Sequence, residues 1–568
     1  MLNMIIGPAK SGKTTRVREE VKTAAKNGEP VFLIVPEQYT FETEKQLYLS
    51  LDASLMQKVC VTSFTRVCSL IFKTYGGCAG TYSDEAAQTV LMAQTVAALH
   101  DRLSVYEKSA RNDSFVHTMC ETVTLLKNAG IDADTLKMRA QQIADERLRQ
   151  KLFETAELYA VYDALLQEQY ADPLDDLSRA VKLLKTHPFF ENSVVFFDEF
   201  KGFTGVERQF LSCVIAQAKE TTFTFCEDET RAGDDSVFSP VHTERMRIVR
   251  MAREAGVAVH TPVRLTDTHY ESEAIAQIER MLFLDTIEPL SHDTGDVTIM
   301  MCEDRYEEAE YAAAEIHRLV RQEHLRWRDI AVISRDASPY ADPIEMAFSK
   351  LSIPYFSDQT VSAADHAIIR FLIGVIECAA YGVNAKRLNV LLKSELCGVD
   401  QMDAGIFENY TFVWDIQPDE WAQPFFANPS GFKESMSEQE AETLARAESV
   451  RKCLVEPLLS FIDATAETDA RTFCEEVFKL FCTLGIRESM EARVQRFYDA
   501  GDYAQAKEEQ TMYESVLHLL DTIVLIAGQK PLSPKRFCTL LSLASRSFSH
   551  GVLPQTIDSV TATAADRF

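Results

Sequence analysis

One stretch constrains this chain more than any other. Gly7-Pro-Ala-Lys-Ser-Gly-Lys13-Thr14 fits G-x-x-x-x-G-K-[ST] and begins only seven residues into the sequence. The apolar run Leu2 to Ile6 reads as the strand that feeds it, and Thr14 through Lys22, without Pro or Gly, reads as the helix that follows. The two glycines let the backbone turn tightly, so that successive N–H groups point at phosphate oxygens. Gly7, Pro8, Ala9, Lys10, Ser11 and Gly12 are therefore the expected cradle of a nucleotide. Lys13 puts a point charge on the β/γ phosphates, Thr14 is the expected Mg²⁺ ligand, and the helix N-terminus adds its positive dipole end. The predicted ligands are ATP and Mg²⁺.

A chain of 568 residues exceeds what one core supports, and three to four domains is the natural expectation. With 46% hydrophobic and 25% charged residues, the composition is that of a folded protein. A formal net charge of −28 argues against a surface that binds polyanions everywhere, but leaves room for a local basic groove. There is no run of eighteen apolar residues and no signal-peptide pattern before the first strand, so the expected location is cytoplasmic, with no membrane. The thirteen cysteines contain no C-x-x-C pair and no Cys/His ligand spacing, so buried reduced thiols are expected.

Short runs rich in Val, Ile and Phe recur at Val31 to Val35, Val59 to Val61, Val194 to Phe197 and Thr222 to Phe225. They lack clear alternation, as strands buried on both faces of a parallel sheet do. Between the second and third of these lie more than a hundred residues of mostly helical periodicity, with Phe115, Met119, Val123 and Leu126 on one stripe. Tyr170-Ala-Asp-Pro-Leu-Asp-Asp176 breaks one helix and is placed to cap the next. A second α/β unit is expected near residue 290, with strands at Val297 to Met301 and Ile330 to Ile333 and a helix over Tyr306 to Gln322. Asp415 to Ser437 reads as a loop, and Ser437 with Glu440 as a capping box for the helix after it. The layout is two α/β lobes, each interrupted by a mainly helical insertion. The first lobe takes 1–85 and 186–289 around an insertion at 86–185; the second takes 290–385 and 541–568 around one at 386–540.

Val194-Val-Phe-Phe-Asp198-Glu199 is an apolar strand ending in two carboxylates. Downstream of a phosphate loop, Asp198 is the expected second Mg²⁺ ligand and Glu199 the base that polarises the attacking water. Asp329-Ile-Ala-Val-Ile-Ser-Arg335 ends a second-lobe strand in an arginine. Arg335 either reaches a γ-phosphate or is simply an exposed strand-end residue. Thr62-Ser63-Phe64-Thr65-Arg66 combines small hydroxyls, an aromatic and an Arg, which suits base stacking and phosphate contact as well as it suits an ordinary polar loop.

The phosphate loop, Leu33-Ile-Val-Pro-Glu-Gln-Tyr-Thr-Phe41, Thr62-Ser-Phe-Thr-Arg66, Tyr170-Ala-Asp-Pro-Leu-Asp-Asp176 and Ile353-Pro-Tyr-Phe356 occur in order and together resemble the AddB (RexB) family. That resemblance implies two RecA-like lobes of the superfamily 1 helicase type. It also implies a subunit that pairs with an AddA-type motor, handles single- and double-stranded DNA at double-strand breaks and scans for Chi. The family's nuclease domain, with its [4Fe-4S] cluster, would follow the residues present here, so no cluster ligand is assigned in this chain. Two departures from active helicases bear on ATP use. With six residues before Gly7 no adenine clamp is expected, and Phe225-Cys-Glu-Asp-Glu229 stands where active helicases carry a Gly-Asp-x-x-Gln element that couples nucleotide to DNA, so that coupling is expected to be missing. An autonomous ATP-driven helicase or translocase and a P-loop kinase are the alternatives.

Overall fold

The apolar runs become strands of a single parallel sheet. β1 (Leu2–Gly7), β2 (Val31–Ile34), β3 (Val59–Thr62), β4 (Val194–Phe197) and β5 (Glu220–Cys226) lie in the order β3-β2-β4-β5-β1, with the short β6 (Val263–Arg264) outside β1. All neighbours pair in parallel. These features belong to a computed structural model that describes the chain except 78–79, 229–230, 232–235, 285–286, 358–359, 433–434, 529, 547–548, 552–557 and 566–568. Glu229 of the element after β5 and residues 566–568 thus lie outside the described residues.

The strands lack alternation because both faces are covered. On one face α1 (Lys13–Lys26) and α2 (Thr40–Ser50) bury Val17, Val21 and Leu47 against Ile5, Leu33 and Phe196. On the other, α3 (Phe64–Tyr75) and the helices Asp176–Leu184, Gly205–Gln217 and Ser239–Glu254 bury Ile71, Leu184, Phe210 and Ile248 against Met4, Phe197 and Phe223. By contacts the chain forms two compact units, and this sheet belongs to the first: Met1–Tyr82, Thr122–Gln142 and Tyr170–Cys302. The Tyr170-to-Asp176 element breaks the chain as its sequence predicts. Asp172 accepts from the Leu174 N–H, and the buried Lys127 ammonium donates to Asp172 at 2.6 Å and to Asp175 at 2.9 Å.

The second unit comprises Ser83–Glu121, Ile143–Gln169 and Glu303–Phe568. Its parallel sheet has the order β7-β11-β8, built from β7 (Ala331–Ser334), β8 (Tyr355–Ser357) and the central β11 (Val560–Ala564). β9 (Thr360–Ser362) and β10 (Ser549–Gly551) form a separate antiparallel pair. The helices Arg305–Gln322 and Ala341–Lys350 pack Ala313, Ile316 and Phe348 on Val560 and Ala562. Val297 to Met301, expected as a strand, belongs to none, and Ile299 and Met301 face solvent. Apolar β-formers make a strand only where a neighbouring backbone supplies the ladder, and among the described residues none does so here.

Residues 86–121 and 143–169, read from sequence as parts of one insertion with 122–142, group with 303–568, as do 83–85. The helix Glu85–Leu99 shows why: Ala86, Thr89, Val90, Leu91, Met92, Ala93 and Val96 are all buried, so it has no single apolar stripe and needs partners on several sides. The helices Tyr503–Ala527 and Pro534–Arg546 provide them, with Arg536 donating to the Ala93 carbonyl at 2.8 Å. The Ser437–Glu440 capping box forms as expected. Among the described residues no helix is long and apolar enough to cross a membrane.

Candidate nucleotide site

Ligands of open α/β sheets bind beyond the carboxyl ends of the strands, and the first unit gathers its reactive side chains there. The phosphate loop leaves β1 and turns through two left-handed residues, Lys10 at φ 60° and Gly12 at φ 84°, before α1 starts at Lys13. Gly12 is needed for that angle. Gly7 is needed for space, since a Cβ there would stand 2.5 Å from both the Leu265 carbonyl oxygen and Ser11 Oγ. Lys13 Nζ donates to the Gly7 and Pro8 carbonyls at 2.9 and 2.6 Å, which folds its charge over the loop. Ser11 Oγ is buried and makes no hydrogen bond among the described residues.

The two carboxylates after β4 meet the first turn of α1. Thr14 Oγ1 donates to Glu199 Oε1 at 2.8 Å, across 185 residues of chain. Asp198 is only 3% exposed and accepts from Thr224 Oγ1 of β5 at 2.5 Å and from the Glu199 N–H at 3.0 Å. Burial pushes the Asp198 carboxyl above its usual range; the Thr224 and Thr14 hydroxyls pull it down, and the neighbouring Glu199 pushes it up again. Glu199 itself is exposed and holds φ 68°, a left-handed conformation that a non-glycine residue keeps only when its surroundings impose it. A buried carboxylate beside a hydroxyl offers oxygen ligands of the kind Mg²⁺ takes, so Thr14 and Asp198 are compatible with that ion, while among the described residues no group of three or more His, Cys, Asp or Glu side chains is placed to hold a metal.

Several neighbours of the loop were not assigned to it from sequence, although Glu227 falls in the Phe225-to-Glu229 element noted there. Glu227, just past β5, donates its N–H to the Gly7 carbonyl at 3.1 Å. Its buried carboxylate accepts from Arg245 at 2.7 and 3.1 Å and sits 2.6 Å from His242 Nδ1. The segment after β6 lies along the loop: Leu265 N–H donates to the Ile6 carbonyl and His269 N–H to Lys10. Nothing in the local sequence of Arg245, Leu265 or His269 ties these positions to Gly7.

At the same sheet edge, Ser63 Oγ caps α3 by accepting from the Arg66 N–H. The Phe64 ring packs among Phe200, Phe203 and Phe210 with centroids 5.4 to 6.3 Å away, while Thr65 and Arg66 face solvent. Arg66 Nε lies 3.6 Å from Glu37 Oε1, so the loops after β2 and β3 meet. The structure thus brings Lys13, Thr14, Asp198 and Glu199 together. Arg335 belongs to the second unit, exposed just past the carboxyl end of β7.

A family model described as "ADDB, N-terminal" matches residues 4–279. The B subunit of the ATP-dependent helicase/deoxyribonuclease of Acetivibrio thermocellus is 27% identical over 100% of this chain and 50% of that protein. The proteins of the same name from Clostridium novyi and Clostridium kluyveri are 26% and 27% identical over 99% and 98% of the chain, again at 50% of their own length. Along its whole length the chain is similar to the AddB proteins. It spans about half the length of the curated relatives it matches. The AddB model covers the phosphate loop, the Thr62-to-Arg66 loop and the Asp198-Glu199 pair; Arg335 lies outside it.

Proposed function

We propose that this chain is the helicase-like B subunit of an AddAB-type ATP-dependent helicase–exonuclease, acting with an AddA-type motor subunit in double-strand break repair by homologous recombination. In this reading it binds ATP with Mg²⁺ at the phosphate loop, holds single-stranded DNA at the Thr62-to-Arg66 loop and contributes to Chi recognition. The convergence of Thr14, Asp198 and Glu199 on the start of α1 carries the nucleotide part.

The loop amides and the N-terminus of α1 orient the phosphates, and Lys13 exchanges its carbonyl partners for phosphate oxygens. Thr14 and Asp198 hold Mg²⁺, which when bound offsets phosphate charge. Glu199 is the acceptor for a water proton if hydrolysis occurs, and its exposed position allows a water to reach it. On the DNA side, Thr65 and Arg66 offer a hydroxyl and a cation to the backbone, while the anchored Phe64 ring keeps the start of α3 in place.

That same Glu199 favours a second reading, an autonomous ATP-driven translocase. One experiment separates the two. Labelled ATP should bind the chain in the presence of Mg²⁺, binding should be lost in Lys13→Ala, and single-stranded DNA should stimulate hydrolysis little. Strong stimulation that disappears in Lys13→Ala would make this chain a motor; ATP binding that survives Lys13→Ala would remove the nucleotide site altogether.

A further inference from the structure

Asp and Glu supply 86 of the 568 residues, and the four longest stretches without either are 1–18, 53–83, 378–394 and 522–557. The first holds the phosphate loop and the second the Thr62-to-Arg66 loop, the two places proposed to meet phosphate. The other two lie in the second unit, far apart in sequence, and the fold joins them. The helix Ala367–Tyr381 packs against both the helix Ala385–Leu392 and the helix Pro534–Arg546. The first turns of these two helices reach Tyr381, the last residue of the first. The Arg387 guanidinium lies 5.6 Å from the Tyr381 ring centroid, and Lys535 Nζ lies 5.8 Å from it.

The ring is 55% exposed, and the cations around it keep their charge. Arg387 is fixed by donating to the Tyr381 and Gly382 carbonyls at 3.3 and 2.9 Å, not to a carboxylate. Lys386 and Lys535 face solvent, and among the described residues neither they nor Arg387 form an ion pair. Two acids come near without pairing. Asp113 acts on Arg536, which is turned inward to the Ala93 carbonyl, and Glu377, one turn before Tyr381, acts on Cys378 and Cys538. Cations in a first turn oppose the helix dipole, and neither helix carries an acid there to offset them. Helix stability therefore does not explain Lys386, Arg387 and Lys535. An exposed ring among unpaired cations suits a single nucleic-acid strand, which sets its phosphates on the cations and a base against the ring. A duplex keeps its bases stacked inside, and an acidic peptide brings no base.

We infer that Tyr381, Lys386, Arg387 and Lys535 form a second contact for a single DNA strand, in the second unit and additional to the Thr62-to-Arg66 loop. The inference rests on the reading of this chain as a holder of single-stranded DNA, but uses none of the same residues.

The test is fluorescence anisotropy of the full chain with labelled oligo-dT, repeated in Tyr381→Ala, Tyr381→Phe, Lys535→Gln and Arg66→Ala. An oligo-Glu peptide and a DNA duplex are run alongside. Tyr381 and Lys535 are exposed, so their variants should keep the wild-type melting profile. Tyr381→Ala should weaken oligo-dT binding about tenfold and Tyr381→Phe should not, since stacking needs the ring and not the hydroxyl. Lys535→Gln should lower the slope of log affinity against log salt by about 0.7, the share of one phosphate on a single strand. Binding that responds to Arg66→Ala but to neither second-unit residue would overturn the inference and leave the first-unit loop in place. The reverse pattern would uphold the inference and remove that loop. If oligo-dT does not bind, both fall. The inference is also overturned if oligo-Glu or the duplex, and not oligo-dT, is the ligand that Tyr381→Ala releases.

Discussion

Asp198→Asn should make the first unit more stable while abolishing its Mg²⁺-dependent nucleotide binding. The substitution keeps the shape of the side chain, so Oδ1 still accepts from Thr224 Oγ1 and from the Glu199 N–H. Hydrogen bonds to an ionised acceptor contribute about 1.5–3 kcal/mol against about 1 kcal/mol for a neutral one, so the two retained bonds weaken by about 1–4 kcal/mol together. Against that loss stands the removal of a buried ion at 3% exposure, whose effective desolvation penalty is several kcal/mol, and of its repulsion with Glu199. The balance is a net gain of about 1–2 kcal/mol at pH 7, or a rise of about 2–4 °C in melting temperature per kcal/mol in a body of this size. Linkage gives the sign of the pH dependence. Because the folded Asp198 pKa is raised, its charge destabilises the fold fully above that pKa and not at all below the unfolded value of about 3.9. The advantage of Asn should therefore shrink as pH falls through the raised pKa and vanish below about 3.9. Hydrogen exchange of peptides from β4 and β5 at several pH values, beside a Mg²⁺-dependent ATP titration, measures both effects. A loss of stability at pH 7, or a gain that ignores pH, would refute the idea that the site holds a buried charge at the expense of the fold.

Lys127→Met leaves Asp172 buried without its ammonium and should destabilise the first unit by about 3–5 kcal/mol in urea unfolding, with part recovered by adding Asp172→Asn. For Glu154, burial pushes the carboxyl up but the N–H groups of Val105, Tyr106 and Ser104 and the Ser104 hydroxyl outweigh it, holding the pKa at about 2. Its stabilisation of about 3 kcal/mol should be present above the ordinary pKa of about 4.3 and be lost as pH falls toward 2, read as exchange of the amides of residues 104–106. Arg66→Ala should weaken single-stranded DNA binding and lower the salt slope by about one ion, whereas Phe64→Ala should lower the melting temperature through the lost aromatic packing. Unchanged DNA affinity in Arg66→Ala would return that loop to a structural role.

Much of the first unit was legible in the chain itself. The five long strands of the sheet were marked by β-branched and aromatic runs, because burial on both faces selects such residues at every position. The short β6, with its two exposed residues, carried no such mark. In the second unit, β11 was missed although it is the central strand: Val-Thr-Ala-Thr-Ala is weakly apolar, and its partners lie about two hundred residues earlier. Val297 to Met301 failed the other way, having the composition of a strand without a neighbour.

The candidate site divides along the same line. The strand–turn–helix around Gly7 to Thr14 was readable because its cause is local: two glycines within eight residues set the backbone between β1 and α1. Likewise the capping box at Ser437 and the break at Asp172 act over three or four residues. What only the tertiary structure decided is contact between distant segments. Thr14 meets Glu199, Thr224 meets Asp198, Glu227 and His269 hold the loop from Gly7 to Thr14, and Arg451 donates to the Trp421 carbonyl thirty residues earlier. Hydrogen bonds and apolar contacts act over a few ångströms, so the spacing of residues along the chain records which groups are available. Which of them touch is settled by how the sheet and helices close on one another.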